Sequence, residues 1–539
     1  MANNKPAGGS GAGVTQKARR LFVCATALML LFCLYTWGIS QNPPGFCLDE
    51  SAFAYNAYHV SQTGAGEVGP RFPVFFQDFA ISHPTYVNPL TIYLLALVFR
   101  FIHPSISVAR SFGAFWMLAA CLLLGVLAKR TSGQRTIGII VAGSALLTPW
   151  FFEIGRLAWD PHISAFTVVL FLLAAYGISS KEMWSWRDIM MVAGSLAVVA
   201  YGYSSGRVLA PLFAFGLVFF ATTKHRFLGV IKMWLAYGVT LVPSILFNRS
   251  HPGVLAKRLW EVSYIQPHAR WTEIGSEFAE FVRCYLQDQS LTPLLMTGDP
   301  HWQHHVEGSG GAMFFATFIL AMAGLLLVIA RRWREPWWRF VLYGLAVSIV
   351  PGAITDWPLH ELRLMGYAVF LLVLTAPALE WLLAPAYPKH RISDKTDVTN
   401  HGEREHAALV SHSLPRAIRL GIVAALLAAT VAQAVDFQII FWRKGRDREF
   451  AFDVGYKPLY DAAVARPERP IYLENGQWGP AYMHGYWYAT VEGRPISEFV
   501  RLAEGAKPPP GAIVLSSNSD CQNCAVIKKS VQYELYRAK

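Results

Sequence analysis

Asp49 and Glu50, within Gly45-Phe46-Cys47-Leu48-Asp49-Glu50-Ser51, are the first acidic residues of the chain and follow its first apolar run, residues 21–40. At about 1.5 Å per helical residue that run can cross a hydrocarbon core of about 30 Å, so the pair lies just beyond a membrane face. A carboxylate within hydrogen-bond reach of an attacking hydroxyl can take its proton, which makes Asp49 a candidate general base. A structural role competes with this: Asp is a good helix N-cap and Glu suits a first turn, here of a helix beginning near Ser51.

Four further polar motifs leave the ends of apolar runs. They are Glu153-Ile154-Gly155-Arg156 up to Asp160, Tyr203-Ser204-Ser205-Gly206-Arg207, Gly298-Asp299-Pro300 up to His304-His305, and Asp356-Trp357-Pro358-Leu359-His360-Glu361-Leu362-Arg363. An arginine at a span boundary is costly unless it meets a polar partner or a cavity. Arg156, Arg207 and Arg363 together would suit a phosphate, which a guanidinium fork grips well; singly, each could be a snorkelling anchor. His301, His304 and His305 with Asp299 could ligate a metal, but adjacent histidines are unspecific and a surface His-rich loop is the preferred reading. No metal site is assigned, and a divalent metal is optional. Cys521 and Cys524 fit a local disulfide in an oxidising compartment.

The elements that must position these groups are membrane helices. Of 539 residues 54% are hydrophobic and only 15% charged, against about 25% charged in soluble domains. Apolar runs at residues 21–40, 108–127, 137–152, 163–178, 189–203, 208–220, 230–247, 313–330, 340–354, 364–383 and 417–434 predict eleven spans. The first run is longer than a signal core and lacks a clear cleavage site, so it reads as retained. Residues 90–102 are too short to span and read as interfacial or re-entrant. With residues 1–20 as a disordered cytoplasmic tail, most basic clusters then fall on the cytoplasmic side: Lys129, Arg130 and Arg135; Lys181; Lys224 and Arg226; Arg331, Arg332, Arg334 and Arg339; and a flexible loop over 389–413. Arg443, Lys444, Arg446 and Arg448 are the exception. The net charge of +12 is largely this bias, so no nucleic-acid partner is read from it. The five motifs share the outer face. Residues 437–539 are less apolar, with short runs at 470–473, 512–515 and 531–536 that predict a small α/β or β-rich appendage. The expected fold is an all-α polytopic membrane domain, residues 21–436, followed by that appendage.

Leu48-Asp49-Glu50-Ser51-Ala52-Phe53-Ala54-Tyr55-Asn56-Ala57-Tyr58, Thr63-Gly64, His83-Pro84-Thr85-Tyr86 and Ala109-Arg110 resemble the first-loop pattern of bacterial GT-C glycosyltransferases. The pattern is most similar to the protein O-mannosyltransferase-like family (family 39), related to the lipid A aminoarabinose transferases. The later motifs extend the resemblance across about residues 21–383. It implies a multi-pass protein of the bacterial inner membrane that inverts a sugar from a polyprenyl-phosphate donor onto a periplasmic glycan, lipid or protein acceptor, among membrane lipids. Asp49 would be the base with Glu50 beside it. Arg156, Arg207, His360 and Arg363 would serve the donor phosphate or the site wall, with Asp160, Tyr203, Asp299 and His304 as further substrate contacts. Three positions depart from the pattern: Asp160 replaces a common Glu, Gln303 a common Arg, and His83-Pro84-Thr85 lacks a second Pro. A glycolipid flippase and a non-catalytic member of an envelope polysaccharide assembly are the competing classes. A transporter would place its polar groups near the bilayer midplane rather than at one surface.

Overall fold

The computed structural model describes residues 10–81, 84–265, 273–384, 414–503, 505–518 and 524–539. His83, the 389–413 loop and Cys521 lie outside the described residues. Among the described residues, six helical segments are long and apolar enough to cross a membrane: Ile106–Ser132, Asp160–Ser179, Lys224–Ser250, Phe315–Arg332, Met365–Leu383 and Arg416–Arg448. Of the other five predicted spans, residues 21–40 fall in a 26-residue helix, Ser10–Tyr35, whose apolar part is only Phe22–Tyr35, and the remaining four fold as shorter helices. Residues 137–152 break before Pro149, and residues 340–354 break after Val347, because proline cannot donate to the preceding turn.

In chain order, α1 (Ser10–Tyr35) leads to α2 (Leu48–Thr63) and α3 (Pro89–Phe99). The 11 residues of α3 reach only about 16 Å, short of a bilayer, and the helix packs on α2. The bundle continues with α4 (Ile106–Ser132), α5 (Arg135–Leu147), α6 (Ser164–Ser179), α7 (Trp186–Gly202), α8 (Gly206–Gly216) and α9 (Lys224–Ser250). The long loop carries α10 (Val254–Val262) and α11 (Ile274–Gln287). Then come α12 (Phe315–Leu327), α13 (Pro336–Val347), α14 (Met365–Leu383) and α15 (Arg416–Lys444). Helix α14 is apolar on every side and buried along nearly its whole length, so it forms the axis, touching α4, α5, α6, α12, α13 and α15. Gly324 of α12 makes that packing close: a Cβ there would sit 1.7 Å from the Leu374 carbonyl oxygen.

Residues beyond α15 form a mixed sheet flanked by α16 (Tyr456–Val464) and α17 (Tyr482–Val491). A small hairpin in the first loop supplies β1 (Phe76–Gln77) and β2 (Tyr86–Val87). The sheet is built from β3 (Ile471–Glu474), β4 (Phe499–Arg501), β5 (Ile513–Ser516), β6 (Cys524–Lys529) and β7 (Glu534–Ala538), in the order β4-β3-β5-β7-β6. Strand β3 pairs parallel with β4 and β5; β7 pairs antiparallel with β5 and β6. The appendage is therefore α/β. The three predicted strands are its β3, β5 and β7; the two missed ones are edges, one three residues long and the other mostly exposed and carrying lysines. Cys524 is disulfide-bonded.

The sheet unit is fastened to the first loop. Phe46 stacks on Trp487 at 5.1 Å, and its N–H donates to the Phe452 carbonyl at 3.0 Å. The basic residues after the last span, which the charge rule leaves unexplained, are partly absorbed here. Arg448 is buried, donating to Asn42 Oδ1 and the Trp302 carbonyl, both at 3.3 Å, with Glu153 at 3.8 Å. Arg446 reaches Gln41 Oε1 at 3.3 Å.

Candidate active site

Helix α2 begins at Leu48, three residues before the sequence pattern places it, and its first turn separates the acidic pair. Successive helical residues point about 100° apart. Glu50 turns inward and is fully buried. Its Oε2 accepts the Cys47 N–H at 3.1 Å, closing a reciprocal cap, and its Oε1 accepts the Ala158 N–H at 3.1 Å. Both oxygens also take Arg110, at 2.7 Å each. Glu50 is therefore an anchor and not a partner of Asp49 in the chemistry: all its lone pairs face protein donors. Asp49 points the other way and is exposed. Its side chain is open at the surface yet surrounded by protein atoms at longer range. Enclosure by protein pushes its carboxyl above the usual range; Arg258 and then His304 pull it back, while Asp453 and Glu50 push it further.

Arg156 also departs from its expected place. Its guanidinium is buried, donating to the carbonyls of Asn42 (3.0 Å), Tyr35 (2.8 Å) and Trp37 (2.8 Å). Tyr35 is the last residue of α1, whose final carbonyls have no helical partner, and Arg156 supplies one. Each of its nitrogens is engaged, so Arg156 does not hold a phosphate.

The other charged groups converge on Asp49 from separate hairpins. Asp78 follows β1, its N–H held by the Thr85 carbonyl at 2.9 Å. Burial raises its carboxyl well above the ordinary range, Asp49 adds to this, and Arg258 opposes it. Asp160, buried at the mouth of α6, interacts with Asp78, Asp49 and Arg207. Arg207 lies in the first turn of α8, over the Phe75 ring at 5.6 Å; its Nη1 donates to the Leu255 carbonyl at 2.7 Å, while its buried Nε has no partner. Arg258 of α10 is exposed and interacts with Asp49, Asp78, Tyr203 and Arg363. Arg363 spends one N–H on Thr355 Oγ1 at 2.7 Å. The result is a chamber with carboxyls from α2, the first-loop hairpin and α6, faced by guanidinium groups from α8, α10 and the loop before α14.

The histidine segment is not a surface loop: His304 and His305 are buried. Asp299 accepts four hydrogen bonds: His304 Nδ1 (2.6 Å), His301 N–H (2.8 Å), Glu361 N–H (2.9 Å) and Trp357 Nε1 (3.3 Å). Burial alone would raise the Asp299 carboxyl, but His304 and these donors hold it below the usual range. His360 joins from the last outer loop, its ring 4.8 Å from His304, with Nδ1 buried and unpartnered. One atom from each of Asp299, His304 and His360 falls within 4.8 Å of the others, so the trio can hold a divalent cation; an Asp–His pair there fixes the imidazole. Its observed work is to tie the two loops together. Gln303 donates to the Ala451 carbonyl at 2.8 Å, away from the chamber.

His305 Nδ1 lies 2.6 Å from Glu153 and 3.6 Å from Glu361. Burial lowers its pKa, but Glu153 and then Glu361 reverse this and push it up to about 9. A folded pKa above the ordinary imidazole value of 6.5 means that the pair's contribution to stability is complete below about 6.5 and is lost as pH rises through about 9. Thermal unfolding in detergent between pH 6 and 10 should show this loss, and His305→Gln should flatten that part of the curve.

The fold is similar to that of ArnT. The crystal structure of ArnT from Cupriavidus metallidurans bound to undecaprenyl phosphate matches with a TM-score of 0.55 at 12% identity, over 95% of this chain and 98% of that one. The apo form of the same protein matches with a TM-score of 0.53 at 14% identity, over 96% and 98%. No family profile matches the chain, and no curated protein matches it in sequence. The ArnT-like fold accords with the GT-C part of the sequence resemblance, whereas the O-mannosyltransferase part rests on the motifs alone.

Asp78 and Arg258 escaped the sequence reading. Both carry a signal in hindsight. Asp78 is a lone acid among Phe75, Phe76 and Phe79, and Arg258 sits with Lys257 and Trp260 in a short helix with apolar and charged faces.

Proposed function

We propose that the protein is an inverting glycosyltransferase that moves a sugar from a polyprenyl-phosphate donor to an acceptor hydroxyl at the periplasmic face of the bacterial inner membrane. The observation that carries this reading is the chamber itself. An accessible carboxylate, Asp49, interacts with Arg258, which couples in turn to Arg363, while Arg207 couples to Asp160 beside them, in a membrane-type bundle whose fold resembles a protein crystallised with undecaprenyl phosphate.

The acceptor oxygen attacks the anomeric carbon while the bond from that carbon to the phosphate oxygen breaks. Asp49 takes the hydroxyl proton. The departing phosphate carries its charge onto Arg207, Arg258 and Arg363, whose forked donors suit it, so leaving requires no protonation. Burial and the Asp49 charge both oppose ionisation of Asp78. Two neighbouring carboxyls thus divide the roles: one free to accept a proton, one able to donate a hydrogen bond to the sugar.

The deciding assay is transfer of labelled sugar from polyprenyl phosphate by purified protein in proteoliposomes. Transfer supports the enzyme; lipid flipping without transfer supports a transporter; neither supports a non-catalytic partner. Arg258→Gln gives a second check. Losing a phosphate donor should raise KM for the lipid. Losing the charge that favours ionised Asp49 should also move the acid limb of kcat/KM to higher pH.

A further inference from the structure

The C-terminal unit lies against the chamber, and the contacts concentrate on the two segments that bear Asp49 and Asp78. On the first, Asp453 Oδ2 accepts the Leu48 N–H at 3.0 Å, satisfying a free donor in the opening turn of α2. His484 of α17 meets Ser51 Oγ at 2.8 Å through Nδ1, with its Nε2 3.3 Å from the same Asp453 oxygen. Asp453 is fixed in turn by Tyr533 Oη at 2.6 Å and Gln532 Nε2 at 3.3 Å. Leu48 and Ser51 flank Asp49, so its backbone is held on both sides. Ser51 and His484 are fully buried, which rules out a nucleophilic reading of this Ser-His-Asp array: no substrate atom reaches it.

On the second segment the grip comes from the same helix. Tyr482, two residues before His484, accepts the Ala80 N–H at 2.8 Å and donates to Glu67 Oε2 at 2.8 Å. Arg501 of β4 lies over the Tyr482 ring and donates to the Ala80 carbonyl. Ala80 is two residues past Asp78. One rigid element, α17, therefore holds the backbone beside both carboxyls.

We propose that the C-terminal α/β unit is a positioning device for transfer: through His484 and Asp453 on one side and Tyr482 with Arg501 on the other, it fixes the spacing of Asp49 and Asp78. The inference rests on the proposed role of Asp49. His484, Asp453, Tyr482 and Arg501 touch no reacting atom; they act through the backbone they hold. A base displaced by about 1 Å can lose on the order of 10²-fold in rate while binding is unaffected.

The test uses the full-length protein in proteoliposomes with a polyprenyl-phosphate sugar donor. His484→Ala and Tyr482→Phe should lower kcat by about 10- to 10²-fold with KM for the donor unchanged. His484→Asn, which restores a hydrogen-bonding nitrogen near Nδ1, should recover most of the loss. Asp453→Asn keeps an oxygen for the Leu48 N–H but removes a charge. Asp49 faces Glu50 on its own helix, Asp78 of the first-loop hairpin, Asp160 at the mouth of α6, Arg258 of α10, His304 of the long loop and Asp453 of the C-terminal unit. Removing Asp453's charge should move the acid limb of kcat/KM to lower pH, opposite to Arg258→Gln. Full kcat in both His484→Ala and Tyr482→Phe would overturn the proposal. So would losses that follow thermal stability and are not recovered by His484→Asn. Should His484→Ala fail to fold, Tyr482→Phe, which deletes a single hydroxyl, carries the test. If Asp49→Asn transfers as well as wild type, the reading of the base fails instead, and the two failures remain distinct.

Discussion

Asp49→Asn should leave the protein folded and able to bind polyprenyl phosphate, yet transfer should fall by about 10²- to 10⁴-fold, the usual worth of a positioned general base. The amide is nearly the same size and exposed, so no core packing is lost. It cannot accept the acceptor's proton. The wild-type pH profile supplies an independent check. The Asp49 carboxyl sits above the ordinary range because burial and the neighbouring Asp453 and Glu50 disfavour its charge. It is therefore ionised only at pH values above that raised pKa, and kcat/KM should fall as pH drops through it. In Asp49→Asn this limb should vanish from whatever activity remains. A limb that persists at the same pH in the variant would assign the proton to another group, and Asp78 would be the first to examine.

Arg110→Ala should cost stability by about 3–5 kcal/mol, the usual price of breaking a buried ion pair from one side. Arg110 and Glu50 are both completely buried at 2.7 Å. The guanidinium also donates to the carbonyls of Ile39 (3.2 Å), Pro43 (2.6 Å) and Gly45 (3.0 Å). Its removal leaves a buried carboxylate facing three unsatisfied carbonyls. Arg110→Lys should rescue little, since an ammonium cannot span that planar fan of acceptors. Replacing both partners, with Arg110→Met and Glu50→Gln, should be milder than Arg110→Ala alone because no charge is stranded. Thermal unfolding in detergent separates these cases. Equal midpoints for Arg110→Ala and wild type would show that the pair is not the keystone of the first loop.

The membrane-type helical character was legible because length and apolarity are local properties of a run, although among the described residues only six of the eleven expected spans fold as helices long and apolar enough to cross. The short helix over Pro89–Phe99 followed from the same reasoning. The breaks at Pro149 and after Val347 were harder, since an apolar run shows little when proline shortens its helix. Side-chain direction was the main obstacle at the site. Asp49 and Glu50 are neighbours in sequence, but one helical step sends one to the chamber and the other to Arg110. Arg156 matched the pattern expected of a phosphate ligand, yet its role is fixed by the stray carbonyls at the end of α1, which only the fold brings near. His304 and His305 looked like a hydrophilic surface because their partners, Asp299, Glu153 and Glu361, include residues from other loops. Asp78 was passed over because its meaning depends on Asp49.

The bond from Leu48 to Asp453 joins positions 405 residues apart, and that from Ser51 to His484 joins positions 433 apart. A ribosome therefore makes the helix that bears Asp49 405 to 433 residues before its fasteners. A nascent chain already threaded into the bilayer thus carries its acidic group on an unfinished turn, and a product truncated before residue 453 lacks the acceptor altogether. A segment made long afterwards closes the first loop, so the order of biogenesis itself withholds a finished site until His484 has emerged.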